Sequence, residues 1–300
     1  MSEAAGVFAQ QLINGISLGS IYALIALGYT MVYGIVLLIN FAHGDILMVG
    51  AYAAYFIMSI LGVSPPILIL AFVFSMAVCA ALGIAIERFA YRPLRSAPRL
   101  NSLITAIAVS LILQNGMRVL PFVGSNPRQF PQPPISTVII GPFSVSSIQI
   151  IVIVVSSLLM IGLNYIVNST KQGKAMRAVS FDMSAASLMG ISVNKTISFT
   201  FALGSSLAAA GGILYSFAYP QIMPTMGTMP GLKAFVAAVF GGIGSIPGAM
   251  LGGIILGVIE TLTKGYITSQ YADAISFAIL IIILLVKPTG IMGTKVRIKV

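Results

Sequence analysis

Runs of about 20 apolar residues, separated by short polar segments, constrain the fold of this chain more than any other feature of its sequence. Hydrophobic residues make up 58% of its 300 residues and charged residues only 7%, whereas a soluble domain carries about 25% charged residues. Because such a chain cannot cover a globule with polar side chains, we predict that most of its exterior contacts membrane lipid. The clearest predicted spans are residues 67–87, 101–120, 147–167, 196–218 and 272–287.

Most basic residues lie in three short clusters between the apolar runs. Loops rich in lysine and arginine are typical of the cytoplasmic side of a membrane protein, so we predict that all three clusters are cytoplasmic. The net charge of +10 has the same explanation, and we expect no nucleic acid among the partners. The clusters are Arg88, Arg92, Arg95 and Arg99; Lys171, Lys174, Arg177 and Lys195; and Lys287, Lys295, Arg297 and Lys299.

Two longer apolar regions, residues 8–61 and 231–264, are interrupted by glycines or polar residues. We predict a break at residues 40–45 in the first. In the second we predict two short helices or a re-entrant pair around residues 241–248, because irregular backbone at membrane depth must be buried in protein or line a cavity. With the basic clusters inside, counting crossings places the amino terminus outside and the carboxyl terminus in the cytoplasm.

The predicted fold class is therefore an all-α, polytopic transmembrane helix bundle with broken or re-entrant short helices. About nine crossings fit best, with eight or ten left open, and residues 1–300 form a single transmembrane domain. Glycines at positions 15/19, 248/252 and 253/257 have the spacing that lets helices approach closely. They favour tight packing within the bundle, and a dimer interface is the other interpretation.

Residues 121–146 differ from the rest of the chain because six prolines exclude a helix there. Their last part predicts a small β-hairpin that turns at Gly141 and Pro142, and counting crossings places the loop outside the membrane. A plain connector and a docking surface for an external partner are both open interpretations.

No set of residues in the sequence indicates catalysis. A phosphate-binding loop of the G-x-x-x-x-G-K-[ST] type is missing, so this chain is not expected to hydrolyse ATP. One histidine and one cysteine cannot build the usual zinc site, and we predict no cofactor. Polar residues within membrane spans are costly and usually functional. The candidates for a translocation pathway or gate are Asn40, His43, Asp45, Gln114, Asn115, Gly242, Gly244 and Glu260, although helix-to-helix contacts are an alternative for Gln114, Asn115 and Glu260.

Residues 171–195 are the most informative cytoplasmic region. Residues 171–190 predict one short amphipathic helix that ends at Gly190. A face of small residues with one arginine and one aspartate suits docking against another protein, whereas a helix that rests on lipid would carry larger apolar residues. Charges that only fix the topology are the alternative. The candidate docking residues are Gly173, Arg177, Ala178, Asp182, Ala186 and Gly190.

Five segments carry a family pattern: residues 22–34 (YALIALGYTMVYG), 39–45 (INFAHGD), 87–95 (ERFAYRPLR), 173–178 (GKAMRA) and 233–249 (KAFVAAVFGGIGSIPGA). Together they resemble the branched-chain amino acid ABC permeases of the LivH type, over nearly the whole chain. One departure is Phe181, which precedes Asp182 where many members have a glutamate.

The resemblance implies the membrane-spanning subunit of an ATP-driven importer for leucine, isoleucine, valine or similar small solutes in the bacterial inner membrane. The implied partners are cytoplasmic ATPase subunits, a sister permease and an extracytoplasmic solute-binding protein. The sister usually forms a heterodimer, with a homodimer left open. The ATPase would engage the helix at residues 173–190. A stand-alone channel or secondary transporter for small polar solutes such as urea or amides is the alternative.

Overall fold

The computed structural model describes residues 3–36, 40–95, 97–140 and 143–293 of the chain. Within these ranges it contains eleven α-helices and two small antiparallel sheets. In chain order the elements are α1 (Glu3–Val36), α2 (His43–Leu61), α3 (Pro65–Ile86), α4 (Arg99–Val119), β1 (Arg128–Gln129), β2 (Thr137–Ile140), β3 (Phe143–Ser146), α5 (Ser147–Ser169), α6 (Lys171–Phe181), α7 (Met183–Leu188), α8 (Val193–Ala218), β4 (Gln221–Ile222), α9 (Thr228–Gly241), α10 (Ile246–Tyr266) and α11 (Ala272–Val286).

Eight helices in the described residues are long and apolar enough to cross a membrane, which confirms the predicted polytopic helix bundle. The five clearest predicted spans correspond to α3, α4, α5, α8 and α11, with ends displaced by at most three residues. Helix α9 is a ninth, shorter apolar helix of 14 residues. Helix α1 is almost wholly buried at the centre, whereas α4 and α11 are largely exposed at the periphery.

The central helix α1 packs most extensively against α10, and glycines make that approach possible. A Cβ added to Gly19 would lie 2.6 Å from the Cα atom of Ile254, and one added to Gly15 would lie 2.7 Å from that of Val258. Gly257, on α10, lies directly against the backbone of Gly19. Gly15, Gly19 and Gly257 therefore serve packing within the bundle, because only glycine lets the two backbones approach this closely.

The second interrupted region consists of α9 and α10, and the predicted break between them is confirmed. The chain leaves α9 at Gly242, whose φ of +108° suits a residue without a Cβ, and the hydroxyl of Ser245 accepts a hydrogen bond from the N–H of Gly248 to cap α10. The prediction of two short helices is wrong for α10, which has 21 residues. Near the end of α10, Lys264 pairs with Glu260 one turn earlier.

The proline-rich loop folds back on the bundle. The predicted hairpin is present as β2 and β3, with Ile140 opposite Phe143; its predicted turn residues Gly141 and Pro142 lie outside the described ranges. Strand β1 pairs with β4, and Phe130, which follows β1, is fully buried. The loop is therefore packed against the end of α8 along part of its length.

Residues 171–190 form two helices, α6 and α7, and the prediction of a single helix is wrong. Asp182 is extended (φ −158°, ψ 113°) and separates them. Its carboxylate accepts hydrogen bonds from the N–H groups of Ser184 at 2.8 Å and Ala185 at 2.9 Å, as an aspartate at a helix N-cap does. Gly190, with a φ of +80°, ends the segment as predicted.

Candidate functional site

The chain turns between α1 and α2 through contacts of Asn40. Its side-chain Oδ1 accepts hydrogen bonds from the N–H of Ala42 at 3.1 Å and from the hydroxyl of Tyr91 at 2.9 Å. Its carbonyl oxygen accepts a third from the N–H of His43 at 3.1 Å. Asparagine favours such turns because its side chain can bond to the backbone two residues further on. Asn40 therefore fixes the start of α2.

Helices α2 and α9 begin beside each other inside the bundle. A Cβ added to Gly44, in the first turn of α2, would lie 2.5 Å from the carbonyl oxygen of Gly227, which precedes α9. The same Cβ would lie 3.3 Å from the Cα atom of Gly231. No side chain fits between the two backbones, so these glycines bring the first turns of both helices to one place.

A cavity of about 120 Å³ lies beside this contact, between α1, α2, α4 and α9. Asp45 is only 2% exposed and lies in its wall. Its Oδ1 accepts a hydrogen bond from Nε2 of Gln114 at 2.9 Å, and Gln114 also donates to Ser110 at 3.3 Å. The structure thus brings together two of the predicted pathway residues. The rest of the wall comprises three glycines with Tyr29, Phe41, Thr228 and Leu232.

The carboxylate of Asp45 has no cation beside it in the part of the chain that the structure describes. Four ion pairs occur there, and none of them includes Asp45. A buried ion costs several kcal/mol unless it is paired and hydrogen-bonded. Neutral donors and the first turn of α2 offset part of this cost, but no cation among the described residues completes the pairing.

His43 is buried but does not line this cavity. Its ring packs against Tyr29, with 4.6 Å between the ring centroids, and against Gly28, where a Cβ would collide with the imidazole. Its Nε2 atom has no hydrogen-bond partner among the described residues. The contacts of His43 are therefore those of a packing residue.

Asn115 points away from the cavity, although it follows Gln114 directly in α4. Its side chain is exposed and donates to the carbonyl oxygen of Leu111 at 2.8 Å, while Arg118 donates to it at 3.3 Å. Because neighbours on a helix project in different directions, only one of the two predicted residues of α4 reaches Asp45.

Gly242 and Gly244 also lie away from Asp45, at the turn between α9 and α10. Gly242 contacts Gly293 of the carboxyl-terminal segment. Gly244 lines a separate cavity of about 80 Å³ together with Thr30 and Arg177. Gly244 is therefore near α6 and Gly242 near the carboxyl-terminal segment, and neither lines the Asp45 cavity.

Glu260 is the centre of a buried charge cluster. Its Oε1 accepts hydrogen bonds from Nζ of Lys233 at 2.8 Å and of Lys264 at 2.6 Å, and its Oε2 accepts one from the hydroxyl of Tyr22 at 2.9 Å. Lys233 also pairs with Asp273 at 2.6 Å. Two acids balance two lysines, so the cluster carries no net charge and joins α1, α9, α10 and α11.

The segment α6–α7 presents large apolar side chains on its surface. Phe181, Leu188 and Met189 are 88%, 89% and 83% exposed. Of the predicted small docking residues, Gly173 and Ala186 are buried and Ala178 is half-buried. The small residues Gly173 and Ala186 therefore seat the two helices on the bundle, and the exposed surface combines polar residues with these large apolar side chains.

The predicted charged docking residues make local contacts. The guanidinium of Arg177 donates to the carbonyl oxygen of Val167 at the end of α5. Gly173 lies against the same carbonyl group, where a Cβ would not fit. Together with the cap at Asp182, these contacts fix α6 and α7 relative to α5.

Comparison with known proteins decides the family. Residues 11–284 match the family described as "Branched-chain amino acid transport system / permease component". The high-affinity branched-chain amino acid permease protein LivH of Salmonella typhimurium is 44% identical over 303 residues, which cover 98% of both chains. The corresponding BraD of Pseudomonas aeruginosa is 44% identical over 95% of this chain and 96% of its own. A probable LivH of Methanocaldococcus jannaschii is 32% identical over 91% and 89%.

The chain belongs to the branched-chain amino acid transport permease family. It is a transporter subunit rather than an enzyme, and a multi-pass membrane protein.

Sequence reasoning missed several polar residues that this permease places at the two sites. Lys233 was detectable, because a single lysine within an apolar run is costly unless it has a partner. Asp273, a charged residue at the start of the predicted span 272–287, was detectable in the same way, whereas Tyr22 and Ser110 carry no such signal. Glu87 is also buried, at 1% exposed, and pairs with Arg95. Ser110 and Gln114 are one turn apart on α4, but the other contacts do not follow from sequence spacing, since the partners lie on different helices or beyond a turn.

Proposed function

We propose that this permease is the membrane-spanning subunit of an ATP-binding-cassette importer that carries branched-chain amino acids. The observation that carries this proposal is the 44% identity over 98% of both chains to a permease named for high-affinity branched-chain amino acid transport. The sequence has no phosphate-binding loop, so ATP hydrolysis would fall to separate cytoplasmic subunits.

The proposed orientation in the inner membrane has the amino terminus outside and the carboxyl terminus in the cytoplasm. It rests on the three basic clusters, which then all lie inside. Residues 1–300 form one permease domain, with residues 121–146 outside and residues 171–195 inside. The external loop would receive the solute-binding protein, and a sister permease would complete the membrane part as a heterodimer.

The proposed ATPase contact is the exposed surface of α6 and α7. Phe181, Leu188 and Met189, here called the apolar patch, are each left more than four-fifths exposed by the described residues. Burial of apolar surface is the dominant favourable contribution to most protein–protein association. Motion of the ATPase subunits would then reach the bundle through Arg177 and Gly173, which fasten α6 to α5.

The proposed translocation pathway passes the cavity beside Asp45. Helices α2 and α9 begin there inside the bundle, and transporters typically place solute sites where helices are broken near the middle of the membrane. Asp45, Gln114 and Ser110 supply its polar wall. Gly242, Gly244 and Glu260 would act at a distance, through the positions of α9 and α10.

Reconstitution of the permease with its ATPase, sister permease and binding protein into vesicles tests the proposal. We expect uptake of labelled leucine only when ATP is on the ATPase side and the binding protein is on the other. Uptake by vesicles that contain the permease alone would instead support a stand-alone channel or secondary transporter. Uptake of urea or amides in preference to leucine would overturn the proposed substrate class.

A further inference from the structure

We propose that Asp45 is the counter-ion for the primary ammonium group of the solute while the solute crosses the permease. This inference rests on the proposed function, because it takes the solute to be an amino acid. It adds a residue, a recognised chemical group and a place in the fold.

The three buried carboxylates in the described residues differ in their partners. Glu87, at 1% exposed, has Arg95. Glu260, also at 1% exposed, has Lys233 and Lys264. Asp45, at 2% exposed, has only neutral donors. Because an unpaired buried charge is costly, Asp45 retains the capacity to bind a cation that the other two carboxylates have already used.

The space in front of Asp45 is a cavity of about 120 Å³, and the glycines at 44, 227 and 231 form part of its wall. Gln114 and Ser110 occupy one side of the carboxylate. The Oδ1 atom is thus fixed in position, and the remaining acceptor capacity of the carboxylate is available to a ligand with several donors, as an ammonium group has.

The rest of the cavity wall favours the ammonium group of an apolar amino acid over other cations. Tyr29, Phe41 and Leu232 are aromatic or aliphatic, so they suit an apolar side chain better than the water shell of an inorganic ion. Thr228, at the start of α9, lines the cavity and is exposed, so the cavity adjoins the molecular surface at this residue.

The first experiment measures leucine uptake by the complete reconstituted transporter. We expect Asp45→Asn, which keeps the size of the side chain, to lower uptake at least about 30-fold per folded permease, the effect of losing one partner of a buried charge pair. Asp45→Glu should retain more uptake than Asp45→Asn. The matched control is Glu87→Gln, which neutralises a buried carboxylate outside the cavity and should keep uptake per folded permease.

The second experiment tests the ammonium group directly and does not depend on transport. Thr228→Cys is labelled with a small thiol reagent in the complete transporter without binding protein; the parent chain, whose Cys79 is fully buried, is the control. We expect leucine and 3-methylbutylammonium to slow the labelling, and 4-methylpentanoate, which lacks the ammonium group, to leave it unchanged.

The outcomes separate this inference from the proposed function. If the unsubstituted transporter carries leucine but Asp45→Asn carries it equally well, the inference is wrong and the function stands. Protection by 4-methylpentanoate alone would assign the cavity to a carboxylate, and protection by sodium chloride relative to choline chloride would assign it to an inorganic cation; either result overturns the inference. If leucine is not carried but both ammonium compounds protect Thr228→Cys, the proposed function fails and the ammonium site remains.

Discussion

At the scale of single residues, Lys233 forms ion pairs with two carboxylates, and no other residue in the described part of the chain pairs with both. It pairs with Glu260 on α10 and with Asp273 on α11, while its own backbone belongs to α9. Helix α9 is short and begins inside the bundle, so it has fewer turns to hold it than a full-length span. The ion pairs of Lys233 therefore anchor α9 to two longer neighbours.

We predict that Lys233→Ala destabilises the permease by up to about 3–5 kcal/mol, since the change leaves the cluster with one net negative charge and removes a partner of the buried Glu260. The thermal unfolding midpoint of the purified protein should fall accordingly. Lys264→Ala is the matched control: Lys264 bonds to the same carboxylate oxygen but its side chain is 34% exposed, so water can replace part of the contact and the loss should be smaller. Equal midpoints for Lys233→Ala and the unsubstituted protein would contradict the anchoring role.

A second residue-scale prediction concerns the cap at Asp182. We expect Asp182→Ala to destabilise α7 by about 1 kcal/mol, because the two N–H groups that its carboxylate satisfies lose their acceptor. Amide hydrogen exchange should accelerate at Ser184 and Ala185, while exchange in α8 should stay unchanged. Asp182→Asn keeps an acceptor and is the control. If both substitutions leave exchange in α7 unchanged, the carboxylate is only a solvated charge.

At the scale of elements, the crossing of α1 and α10 depends on glycines that face each other. We predict that Gly19→Ala destabilises the bundle by about 1–3 kcal/mol, the usual cost of overpacking, because its Cβ would lie 2.6 Å from the Cα atom of Ile254. The measurement is the unfolding midpoint together with the amount of folded protein in the membrane. Gly116→Ala, in α4, is the control: nothing lies within 4 Å of its added Cβ. An equal effect of both substitutions would exclude a packing role for Gly19.

The paired helices α6 and α7 lead to a prediction about assembly. Phe181→Asp and Leu188→Asp each remove a large side chain from the exposed apolar patch, and we expect either change to weaken copurification of the ATPase about tenfold or more. Insertion of the permease should be normal, since neither side chain is buried in the bundle. Ser180→Asp, which adds the same charge at an exposed polar position, is the control and should retain the ATPase. Full retention in both patch variants would place the contact elsewhere.

The same elements show what the sequence predicted and what it did not. Spans such as α5 and α8 were predicted because lipid imposes a length and an apolar composition on every crossing helix. The division of residues 171–190 was missed because aspartate within a helical pattern also suits an exposed helix face. At the site, the sequence predicted Asp45 and Gln114 separately. Their contact joins α2 and α4 across 69 positions, so it depends on tertiary packing that no local pattern records.

At the scale of the whole molecule, buried polar groups lie between helices and the outer helices expose mainly apolar side chains. The charge cluster at Glu260 and the polar wall at Asp45 are enclosed between helices, while α4 and α11 expose mainly apolar surface. The exposed basic residues Lys171, Lys174 and Arg177 lie at one end, with α6. The opposite end carries the strand pairs β1–β4 and β2–β3. The two ends thus differ in the elements and side chains that they expose, so the orientation of the molecule in the membrane can be tested.

We predict that the strand-bearing end faces outward and that α6 faces the cytoplasm. Ser125→Cys lies in the exposed proline-rich loop and Lys174→Cys on the exposed face of α6. In intact cells an impermeant thiol reagent should label Ser125→Cys and leave Lys174→Cys unlabelled until the membrane is permeabilised. The unsubstituted chain is the control in both conditions, because its Cys79 is fully buried. The reverse pattern would place the basic cluster outside, against the distribution that membrane insertion favours, and would put α6 and its apolar patch beyond the reach of any cytoplasmic ATPase.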